Sequence, residues 1–218
     1  MGRAFVAEVV AVGDELLSGE TVDTNSSHVD RALEGLGYAV ARHQTVPDDV
    51  EAIADAVRAA AGRAAVVVTT GGLGPTRDDR TFEGVARALG GPLAHHPPSW
   101  ARIEARFREL GRAPTENNRR QARLPEGADA LDNDVGTAPG LAARLGGAQV
   151  FVLPGVPREM RWMLEHRVRP RLEVGPPVAR RTLKVAGLGE SLLERDVSEA
   201  VARHPDVQVG FRTQVFEN

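Results

Sequence analysis

The chain has 218 residues, of which 42% are hydrophobic and 26% are charged, and its formal net charge is −3. This composition is typical of a globular protein and gives no electrostatic reason to expect nucleic acid or an anionic membrane surface as a partner. Cysteine is absent, which excludes disulfide bonds, thiolate metal sites and a cysteine nucleophile. The first residues lead directly into a strand pattern without a signal peptide, and no apolar run approaches the roughly 18 residues of a membrane span. We therefore expect a cytoplasmic protein without membrane contacts.

Three apolar runs in the first third of the chain predict buried strands. They cover residues 5–12, 38–46 and 66–70, and the third run is rich in β-branched residues. Helix patterns, with apolar residues at every third or fourth position, lie between and after these runs. Because parallel strands need crossover connections, this alternation predicts an α/β fold in which helices cover both faces of a parallel sheet.

Polar residues before the helix patterns supply candidate N-caps. An Asp, Asn, Ser or Thr side chain in that position can accept hydrogen bonds from the first free N–H groups of a helix. The expected caps are Asn25 or Ser26 for the first helix, Asp48 for the second, and Asp79 or Thr81 for a third at residues 82–89.

The second half of the chain is less regular. Residues 97–123 have a helical and strongly basic pattern, and two apolar runs at 141–145 and 149–153 flank adjacent glycines, which predicts a hairpin. A further helix is predicted at 158–165, after the stiff sequence Pro-Gly-Val-Pro.

A glycine- and proline-rich break at residues 173–177 predicts a linker to a second unit. After it we expect a strand at 181–186, a helix at 190–202 and a strand at 207–213. This set is too small to bury much apolar surface by itself, so we expect only part of a second α/β domain.

The most informative segment is the turn after the third predicted strand, residues 71–79 (GGLGPTRDD). Glycines let backbone N–H groups approach phosphate oxygens, and the N-terminus of the following helix adds partial positive charge. Asp78 and Asp79 repel a phosphate by themselves, so their presence indicates a divalent cation, Mg²⁺ or a similar ion, between carboxylate and phosphate. A tight strand-to-helix turn with an acidic end is the alternative. The expected phosphate-binding residues are Gly71, Gly72, Gly74 and Thr76.

Two further polar loops follow the first two predicted strands and should meet this turn at the carboxyl edge of the sheet. Acidic and amide side chains in the first loop are candidates for contacts with a metal, a ribose or a base, and a Ser-Gly pair can offer donors to a phosphate. Solvated loop charges and simple helix caps are the alternatives. The second loop contributes Asp48, which is a functional candidate only through its neighbours. The first loop contributes Asp14 and Glu15 as metal candidates and Ser18, Gly19, Asp23 and Asn25 as nucleotide candidates.

Two other connectors combine glycine with proline. Residues 133–140 (NDVGTAPG) precede a predicted strand, and residues 153–159 (LPGVPRE) follow one. Prolines beside glycines suggest a rigid backbone wall that a flat or phosphorylated ligand can approach closely, and turn chemistry alone is the alternative. The expected ligand contacts here are Thr137, Pro139, Gly140 and Gly155.

Together, these motifs resemble the CinA family of competence/damage-inducible proteins, whose amino-terminal part belongs to the MoaB/MogA-like molybdenum-cofactor-biosynthesis superfamily. The resemblance covers roughly residues 6–172, and linked motifs in order are far more specific than a glycine-rich turn alone. The segments that carry it are residues 13–19 with 23–25, residues 71–79, residues 136–140 and residues 153–160.

The resemblance implies a three-layer α/β/α fold with a mostly parallel sheet over residues 1–172, and a partial KH-like domain over residues 178–218. In the superfamily the glycine turn binds the phosphate of molybdopterin or a nucleotide, and the last aspartate of the motif supports metal-assisted chemistry. That aspartate matches Asp79, and the superfamily's aspartate after the second strand matches Asp48. The resemblance also implies a homodimer. The chain has no room for the amidohydrolase domain of longer CinA proteins, so we expect that activity to be absent.

CinA-type amino-terminal domains are associated with metal-dependent cleavage of ADP-ribose into AMP and ribose 5-phosphate, which makes this the leading hypothesis. A divalent ion held by Asp78 and Asp79, with Glu15 nearby, would neutralise the diphosphate, and Asp48 would act as a general base or a second metal ligand. Two alternatives stay open: a non-catalytic module that binds a pterin or a nucleotide, and a molybdopterin adenylyltransferase. All three need a phosphate turn, an acidic pair and a metal.

Overall fold

The computed structural model describes residues 5–177, 179 and 181–212. The chain divides into two compact units, Met1–Val178 and Ala179–Asn218. In the part of the chain that is described, no helix has both the length and the apolar character needed to cross a bilayer.

A six-stranded sheet forms the centre of the first unit. In spatial order its strands are β2 (Ala39–Val46), β1 (Val6–Val12), β3 (Val66–Thr70), β8 (Ala148–Leu153), β7 (Gly140–Leu145) and β6 (Asp129–Leu131). Strands β2, β1, β3 and β8 run parallel, whereas β7 and β6 run antiparallel to their neighbours. This confirms the three strands predicted first and the predicted hairpin, which is β7–β8.

Helices cover both faces of this sheet, because successive strand residues point to opposite sides. Val9 belongs to a core cluster with residues of α2 (Thr24–Glu34) and α6 (Pro157–Met163), whereas Val10 belongs to a cluster with residues of α3 (Val50–Arg63) and α4 (Thr81–Leu89). This arrangement confirms the predicted three-layer α/β/α fold with a mostly parallel sheet. The helices of the first unit are α1 (Asp14–Leu17), α2 (Thr24–Glu34), α3 (Val50–Arg63), α4 (Thr81–Leu89), α5 (Pro97–Glu109) and α6 (Pro157–Met163), with a π turn at Leu164–Val168 and a 3₁₀ turn at Arg169–Arg171.

The basic segment predicted as helical is divided into three pieces. After α5 come a 3₁₀ helix (Glu116–Ala122) and then β5 (Arg123–Pro125), which pairs with β4 (Leu93–His95) in a separate two-stranded sheet. A single helical region over residues 97–123 is therefore wrong. Gly111 adopts a φ of +68° and Pro114 follows shortly after it, so the chain cannot continue as an α-helix.

The predicted caps of the first two helices are wrong. Asp23 caps α2 by accepting a hydrogen bond from the Ser26 N–H (2.9 Å), and Asp49 caps α3 by accepting from the second and third N–H groups of that helix (3.0 Å each). Asn25 and Asp48 instead make contacts at the carboxyl edge of the sheet. A local rule cannot see these distant partners.

In the second unit, α7 (Glu190–Val201) confirms the helix predicted at residues 190–202. The expected strands are wrong, since residues 181–186 and 207–212 form no strand, and residue 213 lies outside the described residues. Leu183 is 86% exposed and Val207 is 47% exposed, so no second layer buries these apolar runs. The KH-like identity of this unit and the homodimer stay predictions.

Candidate functional site

Polar loops meet at the carboxyl edge of the parallel strands. The Asp14 N–H donates to Asp48 Oδ2 (3.1 Å), and the Asp48 N–H donates to Asp14 Oδ1 (3.4 Å), so the loops after β1 and β2 are joined. A Cβ on Gly72 would lie 3.2 Å from Asp48 Oδ1, which places Asp48 against the glycine turn after β3. The fold therefore brings these three loops into one cluster although they are distant in the sequence.

The glycine turn accepts only glycine at its first two positions. Gly71 and Gly72 adopt φ values of +103° and +63°, and a Cβ on Gly71 would lie 2.1 Å from Val12 O. The Gly71 N–H donates to Leu153 O (3.1 Å), so it joins the turn to β8. Thr81 Oγ1 donates to Gly71 O (2.8 Å), and a Cβ on Gly72 would lie 2.2 Å from that hydroxyl oxygen. Thr81 is therefore not the cap of α4, because its hydroxyl fastens the start of that helix to the turn.

Asp79 is not a helix cap either, because its carboxylate folds back into the turn. Oδ1 accepts from the Gly74 N–H (2.7 Å), and Oδ2 accepts from the Thr76 N–H (2.8 Å) and the Thr76 hydroxyl (2.5 Å). Helix α4 follows Arg80 and has no side-chain cap. Two of the N–H groups predicted to hold a phosphate are thus occupied by a carboxylate. The Gly72 N–H has no hydrogen-bond partner in the described part of the chain.

Asp48, at this edge of the sheet, loses its proton less readily than a free aspartate. Burial is the main cause that raises the pKa of Asp48 above its usual value, and the charges of Asp14, Glu15 and Asp78 raise it further. The hydrogen bond from the Asp14 N–H opposes this shift. Asp48 is therefore well suited to accept a proton at this edge.

The described residues, 5–177 with 179 and 181–212, contain no ready-made metal site, since no three Asp, Glu or His side chains among them could hold an ion together. Both oxygens of Asp79 already accept hydrogen bonds, and Asp78 is exposed. The donor set fits a Mg²⁺-like ion that is shared with phosphates, since such ions commonly use one or two protein carboxylates together with substrate oxygens and water. Glu15 and Asp78, whose charges both act on Asp48, are the candidates to contribute a carboxylate oxygen.

A shallow, solvent-open cleft beside the glycine turn is lined by residues that sequence reasoning misses. Gln121 of the 3₁₀ helix donates through Nε2 to Leu73 O (3.0 Å), which fixes that helix to a turn 48 residues away. Arg120 pairs with Glu83 of α4 (3.3 Å), and the Arg123 side chain has no partner among the described residues. The basic composition of this segment is the available signal, but no local pattern connects it to the turn. The cleft is lined by Gly72, Gly74 and Asp79 on one side and by Arg120, Gln121 and Arg123 on the other.

Some of the predicted nucleotide-binding residues already make hydrogen bonds within the protein, whereas others are exposed. Asn25 is buried, and its Nδ2 donates to Gly155 O (2.8 Å), which fastens α2 to the loop after β8. Its Oδ1 is buried without a hydrogen-bond partner among the described residues. Asp23 is engaged as the cap of α2, whereas Ser18 and Gly19 are exposed. Asn25 is therefore placed to act through the position of Gly155.

A hydrogen bond to α6 anchors the loop at residues 133–140. Asn133 Nδ2 donates to Glu159 Oε2 (2.6 Å), and burial raises the pKa of Glu159 while this amide opposes the shift. Thr137 and Pro139 line a second shallow depression that is open to solvent. Gly140 is buried as the first residue of β7, where a Cβ would lie 2.5 Å from a β8 carbonyl oxygen. Its glycine is thus explained by strand packing.

Comparison with known proteins identifies the family. A family model described as a probable molybdopterin binding domain matches residues 8–174. A CinA-like protein of Desulfosudis oleivorans is 42% identical over 218 residues, which cover 98% of this chain and 53% of that protein. The chain thus spans about half the length of the curated CinA-like relatives it matches.

Solved structures agree with this result. The crystal structure of CinA from Thermoplasma acidophilum, described as having unknown function, is 39% identical and covers 78% of this chain and 99% of its own, with a TM-score of 0.72. The molybdopterin biosynthesis enzyme MoaB of Thermus thermophilus, at 23% identity, covers 76% of this chain and 90% of its own, with a TM-score of 0.51, and shows the fold alone. The chain therefore belongs to the CinA family, and its first unit has the MoaB/MogA-like fold.

Proposed function

We propose that this chain binds a phosphorylated nucleotide or pterin at the carboxyl edge of its sheet, and that it is a metal-dependent pyrophosphatase that cleaves ADP-ribose. The observation that carries the proposal is the turn at residues 71–79, whose N–H groups surround an anionic group next to the Asp14–Asp48 pair. Anion donors beside a cluster of carboxylates suit a ligand that brings phosphates and a divalent cation together.

A divalent ion of the Mg²⁺ type would be held by Glu15, Asp78 and Asp79 together with the phosphates of the ligand, which leaves Asp48 available as a base. When bound, such an ion neutralises the diphosphate and lowers the pKa of water. The carboxylates supply the negative charge that offsets it, and their mutual repulsion in the free protein is then relieved.

The remaining steps belong to side chains and backbone of this chain. The free Gly72 N–H would hold one phosphate and stabilise charge as the diphosphate bridge breaks. Asp48, whose pKa is raised by burial, would accept a proton from the attacking water, since a base works best when its pKa lies close to the working pH. Water adds to one phosphorus atom and the bridging oxygen leaves with the other phosphate, which gives AMP and ribose 5-phosphate. The exposed Ser18 and Gly19, and Gly155 positioned by Asn25, would contact the sugar or the base.

The test is an incubation of the purified chain with ADP-ribose and a panel of divalent ions, with AMP release followed by chromatography. The D79N variant should lower metal-dependent AMP release by about a hundredfold or more, as expected for the loss of a group that acts in the chemical step. The D55N variant is the matched control, because Asp55 is an exposed carboxylate on α3 that pairs with Arg58 and lies outside the site. It should retain wild-type activity.

Two other outcomes would replace the proposal. Saturable nucleotide or pterin binding without metal-stimulated hydrolysis would favour a non-catalytic binding module. Release of pyrophosphate only when ATP and molybdopterin are both present would favour an adenylyltransferase. In either case the ADP-ribose assay would show no AMP with any ion.

A further inference from the structure

The carboxylate of Asp79 occupies the position that an anionic ligand would take in the glycine turn. Its two oxygens accept from the N–H groups of Gly74 (2.7 Å) and Thr76 (2.8 Å), and the Thr76 hydroxyl adds a third donor (2.5 Å). A Cβ on Gly74 would lie 2.4 Å from Asp79 Oδ2, so glycine is what lets the carboxylate reach this position. Hydrogen bonds to a charged acceptor are stronger than neutral ones, which makes this a firmly held occupant.

Three features beside this carboxylate favour the binding of a larger anion. The Gly72 N–H has no hydrogen-bond partner within the described residues. A shallow, solvent-open cleft begins at Gly72, Gly74 and Asp79. Its opposite side carries Arg120 and Arg123, and the guanidinium of Arg123 is not engaged by any described side chain. A phosphoryl group has more oxygens and more charge than a carboxylate, so it can use these donors in addition to the two that Asp79 occupies.

We propose that Asp79 is a specificity-determining residue: its carboxylate is a built-in occupant that the phosphoryl group of the ligand must displace from the N–H groups of Gly74 and Thr76. The inference rests on the proposed function only in taking the ligand to be phosphorylated. A tethered carboxylate competes at a high effective concentration, so a free carboxylate ligand with the same oxygens and charge cannot replace it. A phosphoryl dianion can, because it gains the Gly72 N–H and the guanidinium of Arg123 as well. Displacement also releases Asp79 for the catalytic role proposed above.

Calorimetric titration with inorganic phosphate and with acetate, in buffer that contains a chelator, tests this inference without relying on metal or turnover. The D79A variant should bind phosphate about tenfold or more tightly than the wild type, because two N–H donors become free and a like charge a few ångströms away is removed. It should also acquire binding of acetate, which the wild type should lack.

The D78A variant is the charge control in this metal-free buffer, because it removes the same charge from the same loop without freeing either N–H group. Asp78 does interact with the Thr76 hydroxyl and with the charge of Arg120, so a small gain in affinity is expected from this variant as well. Its phosphate affinity should rise by less than about threefold, since exposed charges are screened by water and salt. The D79N variant should give an intermediate rise, because an amide oxygen is a neutral and weaker competitor, and it serves as the test if circular dichroism shows that D79A is not folded.

Equal gains in D78A and D79A would overturn the inference, because they would reduce the effect to net charge. Unchanged or weaker phosphate binding in both Asp79 variants would overturn it as well. These outcomes are independent of the ADP-ribose assay: AMP release by the wild type without the affinity gain would refute the displacement alone, and the affinity gain without AMP release would refute the pyrophosphatase alone.

Discussion

Replacement of Gly84 by alanine in α4 should destabilise the first unit, although alanine is the better helix former. Gly84 faces α3 at the closest approach of the two helices, where a Cβ would lie 2.5 Å from both Cβ and Cγ2 of Ile53 and 3.1 Å from Val50 O. An ordinary contact begins at 3.4 Å, so the helices would have to separate by about 1 Å. Ile53 is fully buried and cannot turn away from the new methyl group.

Two opposing contributions decide whether the substitution raises or lowers the free energy of unfolding. Alanine in place of glycine in a helix stabilises by about 1 kcal/mol, whereas an extra group in a close-packed core costs about 1–3 kcal/mol, and more where the backbone must move. We expect a net loss of about 1–2 kcal/mol in the free energy of unfolding, with weaker ligand binding because α4 holds the glycine turn through Thr81.

Urea unfolding followed by circular dichroism measures this difference, and Gly62 provides the control. Gly62 lies in α3 with no atom within 4 Å of an added Cβ. The G62A variant should therefore gain about 0.5–1 kcal/mol from helix propensity alone. A G84A variant as stable as G62A, with an unchanged denaturant slope, would refute the argument that α3 and α4 are in direct backbone-to-side-chain contact.

Two further changes test the edge of the sheet. Because the pKa of Asp48 is raised in the folded protein, its ionised form destabilises that state at neutral pH, and this penalty is relieved as the pH falls through the raised pKa. The D48N variant should therefore unfold at a higher temperature than the wild type at neutral pH, and this difference should disappear as the pH falls toward the usual Asp pKa of about 4. The same variant should release less AMP. A lower melting temperature at neutral pH would contradict the assigned burial and repulsion. The T81V variant leaves Gly71 O without its buried hydroxyl donor and should lose about 1–3 kcal/mol in urea unfolding, whereas T81S, which keeps the hydroxyl, should lose less; equal losses would show that the methyl group and not the hydrogen bond matters.

The central strands could be predicted because their side chains are buried on both faces of the sheet. All five residues of β3 are buried, and the β-branched run that forms it carries that information in the sequence itself. The strands expected at residues 181–186 and 207–213 carry a similar but weaker pattern. Leu183 and Val207 show why that pattern is insufficient, since an apolar run forms a strand only where a second layer covers it.

Helix caps and the cleft could not be predicted because they depend on distant partners. Asp48 and Asp49 are equally good caps by composition, and the choice between them is made by the Asp14 N–H, which is 34 residues away and donates to the Asp48 carboxylate. Gln121 likewise reaches Leu73 across 48 residues. The sequence shows that polar residues follow each strand, but only the fold decides which of them face one another.

The charge arrangement at the carboxyl edge argues for a ligand more strongly than any single residue does. An asparagine at position 48 could accept the same Asp14 N–H without the burial of a charge and the repulsion from Asp14, Glu15 and Asp78, which together raise the pKa of Asp48. In the adjacent turn, the N–H groups of Gly74 and Thr76 donate to the carboxylate of Asp79. The first arrangement is unfavourable in the free protein and the second blocks the turn, and one ligand that carries phosphates with a divalent cation would change both, since its phosphates would replace Asp79 and its cation would offset the charge around Asp48. The D48N variant should therefore gain stability and the D79A variant should gain phosphate affinity, while each impairs turnover.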